Sequence, residues 1–186
     1  MYGLVNQAVR QMVLCEHGQN AWEAIRRKAA VEDDDFVAMQ QYPDEQTYDL
    51  VAAASEALGA PAEAVLREFG HYWVRYVADS GYGDLMKAAG RSLREFLTNL
   101  DHLHARVGLT FPALRPPEFT VIEDSQARIR LEYRSPREGL APFVIGLVEG
   151  LAERFDERVV VSLIGPRSEG RDHDEFLIEF TEMKPA

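Results

Sequence analysis

Cysteine is nearly missing from this chain: Cys15 is the only one in 186 residues. A single thiol excludes an internal disulfide framework and a Cys-rich structural zinc site, and it fits a reducing compartment. Long apolar runs are missing too. No stretch approaches the roughly 18 apolar residues of a membrane-spanning helix, and the start MYGLVNQAVRQMVLCEHG reads as an amphipathic helix rather than a charged-apolar-small leader. The expectation is therefore a soluble, cytoplasmic protein with no membrane segment. Basic residues are short in number, 20 Lys and Arg against 31 Asp and Glu for a formal charge of −11, which argues against a nucleic-acid binder. Acidic residues gather at Glu32 to Asp35, at Asp44 and Glu45, and from Asp172 to Glu175. They read as solvated loops, with a basic partner surface as the alternative. Internal repeats and low-complexity segments are absent.

What is present divides into two halves of different character. Up to about residue 110 the periodicity predicts helices near 2–17, 20–30, 47–59, 61–79, 83–89 and 92–108, punctuated by Tyr42-Pro43-Asp44 and Ser80-Gly81-Tyr82-Gly83. Val31 to Gln46 reads as a loop or a short helical turn. Pro112, Pro116 and Pro117 then break the helical run. Strands follow near 118–123 and 127–135, a helix near 140–155, and strands near 158–165 and 173–181. Helices first and hairpins second give an α+β class with a small antiparallel sheet. The length suits one domain, residues 1–186, with a helical lobe to about 110 and a sheet-containing lobe from about 111.

Two features carry chemistry. In the strand around 127–135, Ile129, Leu131, Tyr133, Ser135 and Arg137 alternate onto one face, and Arg128, Arg130, Glu132 and Arg134 onto the other. The first row runs from two aliphatics to a phenol, a hydroxyl and a guanidinium carried toward the interior. Such a guanidinium needs an anion. Two readings stay open: a donor set for a carboxylate or phosphate pair on a ligand, or a strand end where Arg137 returns to solvent or meets an acidic side chain. The second feature is SLREFLTNLDHLHARV, from Ser92 to Val107, which opens with a capping-box Ser92 and Glu95. Its stripe is Leu93, Phe96, Leu97, Leu100, Leu103 and Val107, and His104 falls on it while His102 does not. A buried His is commonly a satisfied core residue, but an imidazole in an apolar slot is also what a haem iron needs. His17, His71, His173 and Cys15 read as structural or solvent-facing.

The start MYGLVNQAV, the segment TYDLVAAASEALG, the run FLTNLDHLHARVGLTFPALRPPEF and the Tyr133-x-Ser135-x-Arg137 motif together resemble the haem nitric oxide/oxygen-binding family, H-NOX. That family includes the haem domain of soluble guanylate cyclase and stand-alone bacterial sensors. The resemblance covers essentially the whole chain. It implies the H-NOX fold with haem between the lobes, and His104 as the iron ligand through an iron-histidine bond weak enough to break when nitric oxide binds. It implies Tyr133, Ser135 and Arg137 on the haem propionates and Pro117 against the proximal face of the porphyrin. It also places Leu4, Val5, Trp73, Phe143 and Leu147 around the distal gas site. Read alone, the stripes Val65, Phe69, Trp73, Tyr76 and Val77, and Leu140, Phe143, Val144, Leu147 and Leu151, would be ordinary core. The lack of C-x-x-C-H leaves non-covalent haem b as the cofactor.

One departure bears on ligand choice. Oxygen-holding members of the family carry a distal tyrosine, and this chain has Phe143 at the matching position. A missing donor to bound oxygen costs about 1–3 kcal/mol, so the pocket is expected to bind nitric oxide and carbon monoxide and to exclude oxygen. The Trp73 indole is a possible donor, expected to be satisfied elsewhere or badly aimed. The leading expectation is a non-enzymatic gas sensor signalling to a separate protein, by family analogy a histidine kinase or a cyclic-nucleotide or cyclic-dinucleotide enzyme. The competing readings are a haem enzyme of peroxide or oxygen chemistry, disfavoured by the lack of a distal His/Arg pair, an oxygen-binding haem protein, and a scaffold without haem.

Overall fold

The computed structural model describes residues 1–32, 35–111 and 113–181. Helix α1 (Gly3–Lys28) runs through both of the first two expected helices, with one break at Gly18, where φ is 80°. Only one residue leaves helical geometry, and glycine adopts that φ at little cost, so the two pieces stay joined. From Val31 the chain holds no helix among its described residues until Asp44, and it pairs Gln41 with Tyr2 in a single antiparallel bridge. Helix α2 (Asp44–Leu58) starts earlier than the periodicity suggests. Pro43 presets the entry, Asp44 and Glu45 fill the first turn, and Gly59 closes the helix in the left-handed region.

Helix α3 (Ala62–Val77) passes through a wide five-residue turn, Ala78–Tyr82, into α4 (Gly83–Ala89). Helix α5 (Leu93–Thr110) opens on the expected capping box: Glu95 N donates to Ser92 Oγ at 3.2 Å, and Arg91 N donates to the Glu95 carboxylate at 2.9 Å. Pro112, expected to help break the run after α5, lies outside the described residues.

The second half supplies β1 (Glu118–Asp124), β2 (Arg128–Arg134), α6 (Ala141–Arg154), β3 (Val159–Gly165) and β4 (Asp174–Phe180). The strands form one antiparallel sheet in the order β1-β2-β4-β3, so the architecture is α+β. Register sets Ile129 opposite Ile178 and Leu131 opposite Phe176, all buried on the inner face. The acidic run that ends at Glu175 departs in part from its solvated reading. Asp174 and Glu175 begin β4 and are buried, Asp174 accepting from Arg167 N at 2.8 Å and Glu175 pairing with Arg130 and Arg171. Buried carboxylates persist here because each has a donor or a cation.

Apolar residues form two cores. One joins α1, α2 and α3 through residues such as Met12, Trp22, Ile25, Leu50 and Phe69. The other joins α4, α5, α6 and the sheet through Leu93, Phe96, Leu97, Val144, Val148 and Phe176. Phe143 packs against both. Helices α3 and α6 meet at very short range because Gly70 and Gly146 lie in the contact. A Cβ on Gly146 would run into the Arg67 carbonyl, and one on Gly70 into the Phe143 carbonyl.

Candidate functional site

The apolar stripe of α5 changes environment along its length. Leu93, Phe96, Leu97 and Leu100 are buried in the core, but Leu103, His104 and Val107 are half-buried and line a cavity. The His104 ring lies 6.1 Å from the Phe119 ring of β1. Its Nδ1 is enclosed without a hydrogen bond of full geometry, so Nε2 is the nitrogen left for an occupant of the cavity. Burial holds the His104 pKa below the usual imidazole value, against weaker opposition from Asp101 and the Pro117 carbonyl. The ring is therefore neutral at pH 7, the form that binds a metal. Its neighbour His102 is exposed.

The strand alternation stops short of Arg137. β2 ends at Arg134, and Ser135 to Arg137 form the bend beyond it. The guanidinium still reaches the cavity rim, but through an ion pair: Nε donates to Asp44 Oδ2 at 2.8 Å, and Nη1 to the Arg115 carbonyl at 3.2 Å. Asp44 thus belongs to the site rather than to a solvated loop. Despite partial burial, donors from Arg137 and the Met1 ammonium hold its carboxyl below the ordinary range. Tyr133 is buried on the strand itself. Desolvation pushes its phenol up, with the Ser135 hydroxyl and the Arg137 charge acting the other way. Tyr48 also lines the rim and donates to the Glu138 carbonyl at 3.2 Å.

Trp73 of α3 and Phe143 and Leu147 of α6 line the same cavity. Phe69 lies 6.0 Å from Trp73 edge to face and 5.4 Å from Phe143. Trp73 stacks on Tyr76, whose hydroxyl is turned to Gln7 Oε1 at 3.4 Å. The indole N–H makes no hydrogen bond among the described residues, so of its two expected alternatives, satisfied elsewhere or badly aimed, only the second stands.

All ten side chains singled out from the sequence, Leu4, Val5, Trp73, His104, Pro117, Tyr133, Ser135, Arg137, Phe143 and Leu147, border one cavity of about 740 Å³. The other histidines lie elsewhere: His17 faces Glu68, His71 faces Glu153, and His173 faces Glu132 and Asp172. Cys15 is exposed, and among the described residues no group of three or more His, Cys, Asp or Glu could hold a metal by itself. A flat apolar cofactor with one coordinating centre and an anionic edge fits this donor set, with a single neutral imidazole, apolar walls and a guanidinium at the rim. Sequence reasoning missed Asp44 as a site residue and missed Tyr48, because their helix arrives from 90 residues away and no local pattern links it to Arg137.

Comparison with known proteins identifies the family and the fold. The sequence model of the family described as haem-NO-binding matches residues 2–163. Soluble guanylate cyclase gcy-31 of Caenorhabditis elegans is 27% identical over 165 residues, which are 88% of this chain and 24% of that protein. Guanylate cyclase soluble subunit beta-2 of Rattus norvegicus is 34% identical over 122 residues, 62% of this chain and 18% of that protein. The chain thus spans about a quarter or less of the length of these relatives. An H-NOX protein of S. oneidensis in its Fe(II)NO state superposes with a TM-score of 0.88 at 23% identity, over 98% of this chain and all of that one. The unliganded Fe(II) H-NOX protein of K. algicida gives 0.83 at 19% identity, with both chains covered completely.

Proposed function

The chain belongs to the haem-NO-binding, or H-NOX, family, and from that membership we propose that it is a haem b-based sensor of nitric oxide and carbon monoxide that excludes oxygen and signals to a separate protein. The observation that carries this reading is the single cavity in which a neutral His104 on α5 faces apolar walls, with Arg137 at the rim. Ferrous haem bound there would supply the gas-binding chemistry, and loss of its bond to His104 would be the signal. His104 would hold the iron through Nε2, with Pro117 beside it in the cavity lining. Tyr133, Ser135 and Arg137 offer two hydroxyls and a guanidinium to the propionates. Leu4, Val5, Phe143 and Leu147 keep the opposite side apolar and exclude water.

Release of His104 would act on α5, whose Asp101 carboxylate accepts from Phe119 N at 3.2 Å on β1. A shift of α5 would therefore reach the sheet. The partner class favoured by family analogy is a histidine kinase or a cyclic-nucleotide or cyclic-dinucleotide enzyme. The chain itself is read as a sensing unit rather than a catalyst.

One observation favours a second reading, an oxygen-binding haem protein: the Trp73 indole borders the cavity with its N–H unengaged. The test is spectroscopic. Ferrous, haem-loaded protein should keep its spectrum in air, and nitric oxide should move the Soret band to shorter wavelength as the axial histidine is lost. Phe143→Tyr should raise oxygen affinity by roughly ten- to a hundredfold if its hydroxyl reaches the ligand. A stable oxygen complex in the unmodified protein that disappears in Trp73→Phe would overturn the oxygen-excluding reading and identify the indole as the donor.

A further inference from the structure

The two edges of the sheet are built differently. The β1 edge follows Pro116 and Pro117, carries Glu118, Glu123 and Asp124, and bulges between Val121 and Glu123. Prolines, charges and bulges are how natural sheets discourage edge pairing. The β3 edge has none of these over Val159-Val160-Val161-Ser162-Leu163, and its irregularity begins only beyond Leu163. Val160, Leu163 and Ile164 are exposed, Val160 at 50%.

The free backbone groups of β3 can be assigned from its pairing with β4. Thr181 N donates to the Arg158 carbonyl at 2.9 Å, and Val160 and Ser162 face Glu179 and Leu177 in register. In an antiparallel ladder hydrogen-bonding direction alternates, so Val159, Val161 and Leu163 turn their N–H and C=O groups away from β4. No other described element pairs with them. The ends of the strand carry a second signal. Arg158 at its start and Glu169, just past its end, are both exposed and have no ion pair among the described residues.

We propose that β3 is a self-association edge, at which two copies of this chain pair antiparallel through Val159–Leu163 about a two-fold axis at Val161, joining their sheets into eight strands. In that register Val159 lies opposite Leu163 of the other copy and Val161 opposite its own equivalent. All three outward residues are then used, giving about six main-chain hydrogen bonds. The exposed Val160 comes to lie beside Ser162 of the other copy. Antiparallel pairing is also the orientation that brings the Arg158 end of one copy toward the Glu169 end of the other, twice over. A parallel strand would align like ends. The opposite free charges thus favour a second copy over an arbitrary peptide. The contact is small by the standard of permanent dimers, so association is weak and concentration-dependent. This inference does not rest on the haem reading.

The experiment is sedimentation velocity of the purified chain over roughly a hundredfold range of concentration, reaching high micromolar. The expected result is a monomer–dimer equilibrium. Val160→Lys sets a charge on the pairing edge and should weaken dimerisation at least tenfold while leaving the circular dichroism spectrum unchanged. Arg158→Glu should also weaken it, and the swap Arg158→Glu with Glu169→Arg should restore it. A chain that stays monomeric across the range overturns the proposal and leaves this edge to a strand of a different protein. A dimer indifferent to Val160→Lys, or a charge swap that fails to recover what Arg158→Glu lost, overturns it as well.

Discussion

Arg137 and Asp44 should act on haem retention with opposite signs. Arg137→Ala removes a guanidinium whose side chain is only 20% exposed and which makes charge-assisted bonds to Asp44 and a bond to the Arg115 carbonyl. A charge-assisted bond contributes about 1.5–3 kcal/mol. Because the rim is partly open to solvent, two such bonds to propionates together are better placed at about 2–3 kcal/mol. That corresponds to a roughly 30- to 150-fold loss of haem affinity. Asp44→Asn keeps the side-chain shape but removes the anion that occupies Arg137. It frees the guanidinium and lifts a repulsion from the propionates, so retention should improve by a smaller factor, roughly two- to fivefold given an Asp44 side chain that is one-third exposed. The assay is the rate of haem transfer to excess apo-globin, with the urea midpoint of each haem-free variant measured in parallel to separate folding from binding. If Asp44→Asn loses haem as fast as Arg137→Ala with an unchanged urea midpoint, the intact ion pair is what haem needs, and the competition argument is wrong.

Further outcomes follow from the same geometry. His104→Ala should abolish stable haem incorporation unless imidazole is supplied, while His102→Ala, at an exposed position, should leave the absorption spectrum unchanged; haem lost only in the His102 variant would reverse the assignment. Ser135→Ala should slow or speed haem transfer far less than Arg137→Ala, since a neutral hydroxyl contributes about 0.5–1.5 kcal/mol; equal effects would remove the electrostatic role of Arg137. In the haem-free protein, burial sets the His104 pKa below the unfolded value, so the unfolded state holds the extra proton. Its contribution to stability is whole above about pH 6.5 and declines by about 1.4 kcal/mol per unit below it, until the folded pKa is reached. Urea titrations of the parent and His104→Phe from pH 7.5 to roughly 5 check this, and parallel curves would contradict it. Gly146→Ala should destabilise the fold by about 1–3 kcal/mol because its Cβ meets the Arg67 carbonyl, whereas Gly108→Ala, with open space around it, should not.

Local pattern made part of this molecule legible. The capping box at Ser92 and Glu95, the stripe that carries His104, and the alternation that buries Ile129, Leu131 and Tyr133 are all set by residues within a few positions of one another. Period and capping chemistry report such features directly. Three features escaped because their causes are distant in sequence. Gly70 and Gly146 carry no local sign of their role, yet they let α3 and α6 approach closely enough to bring Phe143 beside Phe69. Asp174 and Glu175 looked like a solvated run until Arg130, Arg171 and the Arg167 amide were found on them. For Arg137 the reading that holds is the strand end that meets an acidic side chain: β2 stops at Arg134, and the acid is Asp44, 93 positions earlier, which no local pattern names.

Half-burial was the most useful signal once the fold was known. Leu103, His104 and Val107 continue the buried stripe of α5 but are themselves less buried than Leu93 or Leu97. Phe143 and Leu147 stand in the same relation to Val144 and Val148 on α6. An apolar stripe that loses burial partway along a helix has run out of protein to touch. Here both stripes are less buried where they border one cavity. Periodicity can assign residues to a face; it cannot tell a face that meets side chains from one that meets a cofactor, and in this chain that distinction separates core from site.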